Sequence, residues 1–196
     1  MLRSLVGSEM CIRDRLYLER ETDLLTRPVR LLHIAPEVCL MRRLKTRYRG
    51  HEELYVTADL ESPLARLHFD VQDIPLENDY ADVILCNHLL EHVADDAQAL
   101  RELYRVMKPG GWGILLSPVD PMRARTFEDD TITDPAERTR LFGQYDHRRI
   151  YGRDYPARLR AAGFEVADID YAGQLSPGER RRYALPEDRI YVVYKN

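Results

Sequence analysis

The chain has 196 residues, the length of one domain able to bury a sizeable core, and its 29 basic and 33 acidic residues leave a formal net charge of −4. That mild acidity argues against a nucleic-acid-binding surface, and no apolar run approaches the ~20 residues needed to span a membrane. Beyond the first fifteen residues the cysteines are Cys39 and Cys86, both in apolar sequence, which are expected to be reduced core residues of a soluble cytoplasmic protein with no disulfide framework or metal-ligand pair.

Residues 5–15, Leu5-Val6-Gly7-Ser8-Glu9-Met10-Cys11-Ile12-Arg13-Asp14-Arg15, resemble the translation of a transposon-type sequencing adapter. Residues 1–15 are therefore set aside as an artefactual segment, with the natural N-terminus expected to be missing and 16–196 expected to form one domain. Val29 to Ile34 reads as the first strand, Glu37 to Arg49 as a basic helix, and Leu54 to Ala58 as a second strand ending on Asp59. A short strand near His68-Phe69 ends on Asp70, and Ala81 to Asn87 is an apolar run suited to a strand buried on both faces. Asp95 to Met107 carries Leu100, Leu103, Tyr104 and Met107 at helical spacing, and Lys108-Pro109-Gly110-Gly111 is expected to stop the helix and turn sharply into a strand from Trp112 to Ser117. From about 120 to 151 the chain is polar, rich in Arg and Asp, and has no sustained period. A helix from Asp154 to Ala162, a strand from Phe164 to Tyr171 and a closing strand from Ile190 to Lys195 complete it. Strands alternating with helices imply a parallel sheet with helices on both faces and a ligand beyond the carboxyl ends of the strands.

The strand ending in Asn87, the run His88-Leu89-Leu90-Glu91-His92-Val93, the helix after it and the Lys-Pro-Gly-Gly segment resemble the class I S-adenosylmethionine (SAM) dependent methyltransferases. The first loop, His33-Ile34-Ala35-Pro36-Glu37, together with Phe142-Gly143-Gln144-Tyr145-Asp146-His147, resembles a bacterial subgroup of that family over nearly all of 16–196. The resemblance implies a Rossmann-like, mostly parallel seven-stranded sheet with an antiparallel C-terminal hairpin, and SAM as cofactor. It places His33, Ala35, Glu37, Asp59, Leu60, Asp70, Val71, Asn87 and His88 around that cofactor: Asp59 on the ribose, Asp70 (with Asp73 as competitor) on the adenine amino group, Glu37 on the ammonium of the methionine moiety. Most members have glycines in the first loop, where this chain has Ala35 and Pro36. Two readings follow, a working but altered SAM pocket or a methyltransferase-like regulatory module, SAM-binding or cofactor-free.

A third reading has different chemistry. His88-x-x-Glu91-His92 matches an inverted zinc-protease motif, which needs two histidines on one helix face and a third protein ligand. No such ligand stands out downstream, so no metal is expected. The favoured function is methyl transfer to a small-molecule acceptor, governed by positioning, which can supply roughly 7–11 kcal/mol. His147 and His88 are the candidates for a base, and Thr126 to Tyr151 is expected to cap the pocket and select the acceptor.

Overall fold

The computed structural model describes residues 3–185 and 189–196. Helix α1 (Arg3–Arg20) runs through the adapter-like segment and into the protein, where Leu16, Tyr17 and Leu18 are buried. Strand β1 (Leu31–Ile34) is buried throughout and is followed by α2 (Val38–Arg47). Strands β2 (Tyr55–Asp59) and β3 (Leu67–His68) come next. Strand β4 (Ala81–Asn87) packs Val83 through Cys86 out of solvent, as an apolar run does when helices cover both sheet faces.

Helix α3 (Asp96–Val106) begins at Asp95, whose carboxylate accepts from the Gln98 N–H, and buries Ala99, Leu100, Leu103 and Val106 along one stripe. The chain then passes straight into β5 (Met107–Leu116). Lys108-Pro109-Gly110-Gly111 is thus the irregular start of a strand rather than a turn before one. Its pairing with β4 shifts register there, and Gly110 takes a left-handed φ of 77°. A side chain on Gly111 would come within 2.8 Å of the Lys108 carbonyl and 2.9 Å of that of Asp82, so only glycine passes.

The segment expected to lack periodicity is structured. Strands β6 (Phe127–Glu128) and β7 (Arg149–Ile150) pair antiparallel and enclose α4 (Pro135–Phe142). Asp134 caps α4 through the Glu137 N–H, and Gly143 ends it at φ 89°. After α5 (Tyr155–Ala161) and β8 (Glu165–Ile169) the sequence reading missed two short helices, α6 (Tyr171–Gln174) and α7 (Pro177–Tyr183), although Ser176 and Glu179 form a capping box at α7. Strand β9 (Ile190–Tyr194) closes the chain.

The sheet order is β3-β2-β1-β4-β5-β9-β8, with β9 antiparallel to both its neighbours and the other pairs parallel. The expected seven-stranded architecture is therefore present. β1 and β4 are adjacent and the chain departs from them in opposite directions, which creates the crevice where ligands of such sheets bind. Cys86 is a buried free thiol as expected, but Cys39 is not: it is exposed on α2 and disulfide-bonded. Among the described residues no helix is long and apolar enough to cross a membrane.

Two buried charges fasten the 126–151 unit to the domain. Arg149, 3% exposed, donates to the carbonyls of Leu90 (2.7 Å), Val93 (2.6 Å) and Ala94 (2.9 Å) and to Glu128 (2.8 Å). Asp96, at the start of α3, accepts from Tyr151 Oη (2.8 Å) and from Arg158 of α5 (2.6 and 3.0 Å). Burial opposes the charge on Asp96, yet the hydrogen bonds from Arg158 and Tyr151 outweigh it and hold the carboxyl below its usual range. A depressed carboxyl stabilises the fold above its unfolded pKa, and that contribution disappears as pH falls through the folded value. Asp96→Ala should accordingly cost about 3 kcal/mol at pH 7 in urea denaturation, with a smaller penalty at pH 3. A loss independent of pH would mean that packing, not the ion pair, carries the effect.

Candidate active site

The carboxyl ends of β1, β2 and β4 bring the predicted residues into two adjoining groups. The first is a hydrogen-bonded chain. His33, fully buried in β1, receives the Tyr55 hydroxyl at Nδ1 (2.9 Å) and meets Glu37 Oε2 with Nε2 (2.8 Å), a tautomer assigned from these partners. Burial, with the Glu37 charge added, pushes the Tyr55 hydroxyl upward, so it remains a donor. Glu37 Oε1 accepts from Asn87 Nδ2 at 2.8 Å. Burial works against the Glu37 charge, but the His33 hydrogen bond and charge and the Asn87 amide more than offset it, leaving the carboxyl below its usual range. One carboxylate thus joins the end of β1 to the end of β4.

The turn that carries Glu37 depends on Ala35, which sits at φ 47° and donates its N–H to the Ala58 carbonyl at 2.8 Å. Glycine adopts that conformation freely, whereas alanine holds it at a cost of roughly 1–2 kcal/mol. The chain has kept the loop geometry without the residue that makes it easy. At the end of β4, His88 is also left-handed, at φ 55°.

The second group lines a cavity of about 90 Å³ formed by Ile34, Ala35, Asp59, Leu60, Asp70 and Val71, closed by Phe69, Leu89 and Val93. Five of the residues expected at the cofactor lie here, while His33 stands behind Glu37 and does not line it. Phe69, Leu89 and Val93 were not expected at the cofactor; Phe69 directly follows β3 and Leu89 lies two residues past β4, which is the one signal available, while Val93 offers none. Asp59 Oδ1 accepts the N–H groups of Glu61 (2.9 Å) and Ser62 (2.8 Å), which shapes the turn after β2, and Oδ2 makes no hydrogen bond among the described residues. Asp70 accepts from the Gln72 backbone and side-chain amides. A wider groove of about 650 Å³ at the outer edge of β2, lined by Lys45, Tyr48, Glu52 and Arg66 among others, contains none of the expected residues.

Two buried polar atoms beside Glu37 have no partner among the described residues: Asn87 Oδ1 and His88 Nε2. Unsatisfied buried groups are costly, of order 1–3 kcal/mol each, and at a strand-end crevice they mark the place of a ligand. Burial opposes a proton on His88, but the Glu91 carboxylate, 3.7 Å from Nδ1, overrides it and raises the imidazole above its ordinary range. Helix α1 reaches the same corner. Asp14, paired with Arg13 at 3.0 Å, is buried where the charges of Glu37 and His88 act on it, and burial raises its pKa to about 6.

The run His88-Leu89-Leu90-Glu91-His92 lies in turns, not on a helix, so the two histidines do not share the helical face that the zinc-protease motif requires. A further imidazole nevertheless lies beside Glu91 and His92. His147, from the 126–151 unit, packs its ring edge-on against His92 with centroids 4.7 Å apart, and ligand-type atoms of Glu91, His92 and His147 all fall within 4.8 Å of one another. His147 Nδ1 faces the Phe142 carbonyl at 3.0 Å, which assigns the proton to Nδ1 and leaves Nε2 as the basic nitrogen.

Residues 25–115, spanning β1 to the end of β5, match the family model described as a methyltransferase domain. The chain is similar to that methyltransferase-domain family over this stretch of 91 of its 196 residues. It is 28% identical over 101 residues to a Mycolicibacterium smegmatis protein named as a probable S-adenosylmethionine-dependent methyltransferase, over 52% of this chain and 35% of that one. It is 37% identical over 70 residues to the chloroplastic 2-methyl-6-phytyl-1,4-hydroquinone methyltransferase of Arabidopsis thaliana, over 35% of this chain and 21% of the relative. The chain therefore spans only about a third and a fifth of these two relatives. The solved S-adenosylmethionine-dependent methyltransferase of Mesorhizobium loti superposes with a TM-score of 0.57 at 16% identity, covering 92% of this chain and 97% of that one, which shows the shared fold. The cofactor of the family is SAM, and the orphaned polar atoms beside Glu37 fit a ligand with both charge signs.

The Glu37 bridge can be tested apart from any ligand. Glutamine offers one acceptor oxygen where two donors now converge, so Glu37→Gln should lose one buried hydrogen bond and about 1–3 kcal/mol in urea denaturation. Ala35→Gly should change stability by less than about 1 kcal/mol, because relief of the left-handed strain offsets the extra freedom of the unfolded chain. A larger loss in Ala35→Gly would show that the methyl group packs rather than strains.

Proposed function

We propose that this chain transfers a methyl group from SAM to a small-molecule acceptor that enters beneath the 126–151 cap. The single observation that carries the reading is the pair of buried, unpartnered atoms, Asn87 Oδ1 and His88 Nε2, beside the Glu37 carboxylate at the β1–β4 crevice. Together they offer an acceptor and a negative charge for an ammonium and a donor for a carboxylate, the two ends of an amino-acid moiety. Asp59 and Asp70, at the ends of β2 and β3, are assigned to ribose and adenine, with Leu60, Val71 and Ala35 against the purine and sugar.

SAM brings an activated methyl group when bound. What this chain adds is alignment. Arg149 clamps the cap onto the loop after β4, so an acceptor held under the cap faces the same crevice, and such positioning can supply roughly 7–11 kcal/mol of the barrier. His88 belongs to the cofactor side, since Glu91 favours its protonated form and makes it a donor. His147 is the acceptor-side residue, with Nε2 available for a proton or a ligand. The hydroquinone named for the plant relative makes phenols and hydroquinones the first acceptors to try.

A second reading rests on α1. Asp14 is buried and the charges of Glu37 and His88 act on it, which sets it near the corner assigned above to the methionine moiety, and we infer that this form of the chain closes that corner to the cofactor. Residues 5–15 are the adapter-like segment, and we take them as foreign to the native protein. Calorimetric titration with S-adenosylhomocysteine should then show at least tenfold tighter binding for a chain beginning at Leu16. Equal affinity would remove the plug from the scheme, and binding by neither form would favour a regulatory module. In the open form His147→Ala should retain cofactor affinity while lowering turnover of an accepted phenol or hydroquinone by about 10²-fold; unchanged turnover would take His147 out of the acceptor site.

A further inference from the structure

Glu91, His92 and His147 meet although none of them contacts the cavity lined by Asp59 and Asp70. They come from two parts of the chain. Glu91 and His92 lie in the turn after β4, and His147 lies between α4 and β7 in the cap. Glu91 is 2% exposed and His147 9%, so a carboxylate and an imidazole are held together in the interior with a half-buried imidazole beside them.

Their outer contacts are of the kind that orients metal ligands. His147 gives its Nδ1 proton to the Phe142 carbonyl at 3.0 Å, which fixes the ring and directs the lone pair of Nε2 elsewhere. Glu91 Oε2 accepts from Ser117 Oγ at 2.9 Å and its Oε1 lies 3.7 Å from His88 Nδ1, while a carboxylate oxygen of Glu91 stays within 4.8 Å of ligand nitrogens of His92 and His147. His92 has the Asp146 carboxylate 3.6 Å from Nδ1, a carboxylate beside a histidine on its outer side. Two imidazoles and one carboxylate form a donor set that zinc and the neighbouring first-row divalent ions accept, with open positions for oxygen ligands. Bonds of about 2.0–2.2 Å place tetrahedral ligand atoms roughly 3.3–3.6 Å apart. The set as it stands, within 4.8 Å, needs only a modest closing movement, which the half-exposed His92 can make.

We propose that Glu91, His92 and His147 form a binding site for one first-row divalent cation, where the cap meets the loop after β4. The site differs from the inverted zinc-protease pattern, since His88 is not a ligand and Glu91 is one. It deepens the reading of the cap as the acceptor side: an oxygen of the acceptor occupies an open position on the cation, and His147 acts as a ligand there rather than as a free base. The cation also ties the cap to the methyltransferase core through three side chains.

The test uses cobalt(II) as probe on the purified full chain after dialysis against a chelator, read by calorimetry and by visible absorption of the bound ion. One cobalt per chain with micromolar or tighter affinity is expected, with at least tenfold weaker binding in His92→Ala and in His147→Ala and less than threefold change in His88→Ala. Circular dichroism, measured on each variant, confirms that the fold survives. Absence of stoichiometric cobalt, or equal affinity in the parent and His147→Ala, overturns the site. Loss in His88→Ala with retention in His147→Ala assigns the ion to the His-x-x-Glu-His pattern and equally overturns it. Cobalt binding by a chain beginning at Leu16 that binds no S-adenosylhomocysteine would leave the cation site standing and remove the methyltransferase reading, while the reverse result would do the opposite.

Discussion

The carboxylate of Glu37 is the contact on which the pocket depends. A parallel sheet leaves the ends of β1 and β4 side by side but gives no reason for the loops beyond them to keep a fixed spacing. His33 and Asn87 supply it by converging on one buried anion, at 2.8 Å each. The arrangement also explains a histidine in the middle of a fully buried strand, since both its nitrogens are engaged and its burial carries no unsatisfied group. Related folds bring backbone close to the cofactor with glycine. Here Ala35 takes the left-handed conformation at a small conformational cost.

A second constraint holds the 126–151 unit against the loop after β4. The loop after β4 has no regular structure of its own, and three of its carbonyls end on the Arg149 guanidinium from the cap. Arginine suits this because its planar fork can reach several acceptors at once. Asp96, Tyr151 and Arg158 repeat the connection one layer away and tie the cap and α5 to the start of α3. The histidine of the 126–151 unit, His147, is held beside Glu91 and His92 by the same contacts.

Much of this was legible in the sequence because it is local. The strand Ala81 to Asn87 was bounded to the residue by its apolar run, and the strand-end positions of Asp59 and Asp70 followed from the same pattern. The cap was placed but read as unstructured, since strands of two residues and a helix of eight are too short to show a period. Lys108 to Gly111 was read as a turn because Pro and Gly usually make one; pairing with β4 and β9 draws it into the sheet instead. The neighbours of Glu91 and His92 were out of reach, because His147 lies more than fifty residues onward and only tertiary structure joins them. Cys39 looked like a core residue in apolar sequence, but its position on α2 turns it outward.

The central claim is that the crevice between β1 and β4 is built to hold the amino-acid end of SAM. A crystal structure of the chain beginning at Leu16, grown with S-adenosylhomocysteine, tests it most directly. The expected result is one molecule per chain with its ammonium and carboxylate meeting Glu37, Asn87 Oδ1 and His88 Nε2, and its ribose on Asp59. Density for the ligand elsewhere, or a complex in which Asn87 Oδ1 and His88 Nε2 still have no partner, would contradict it.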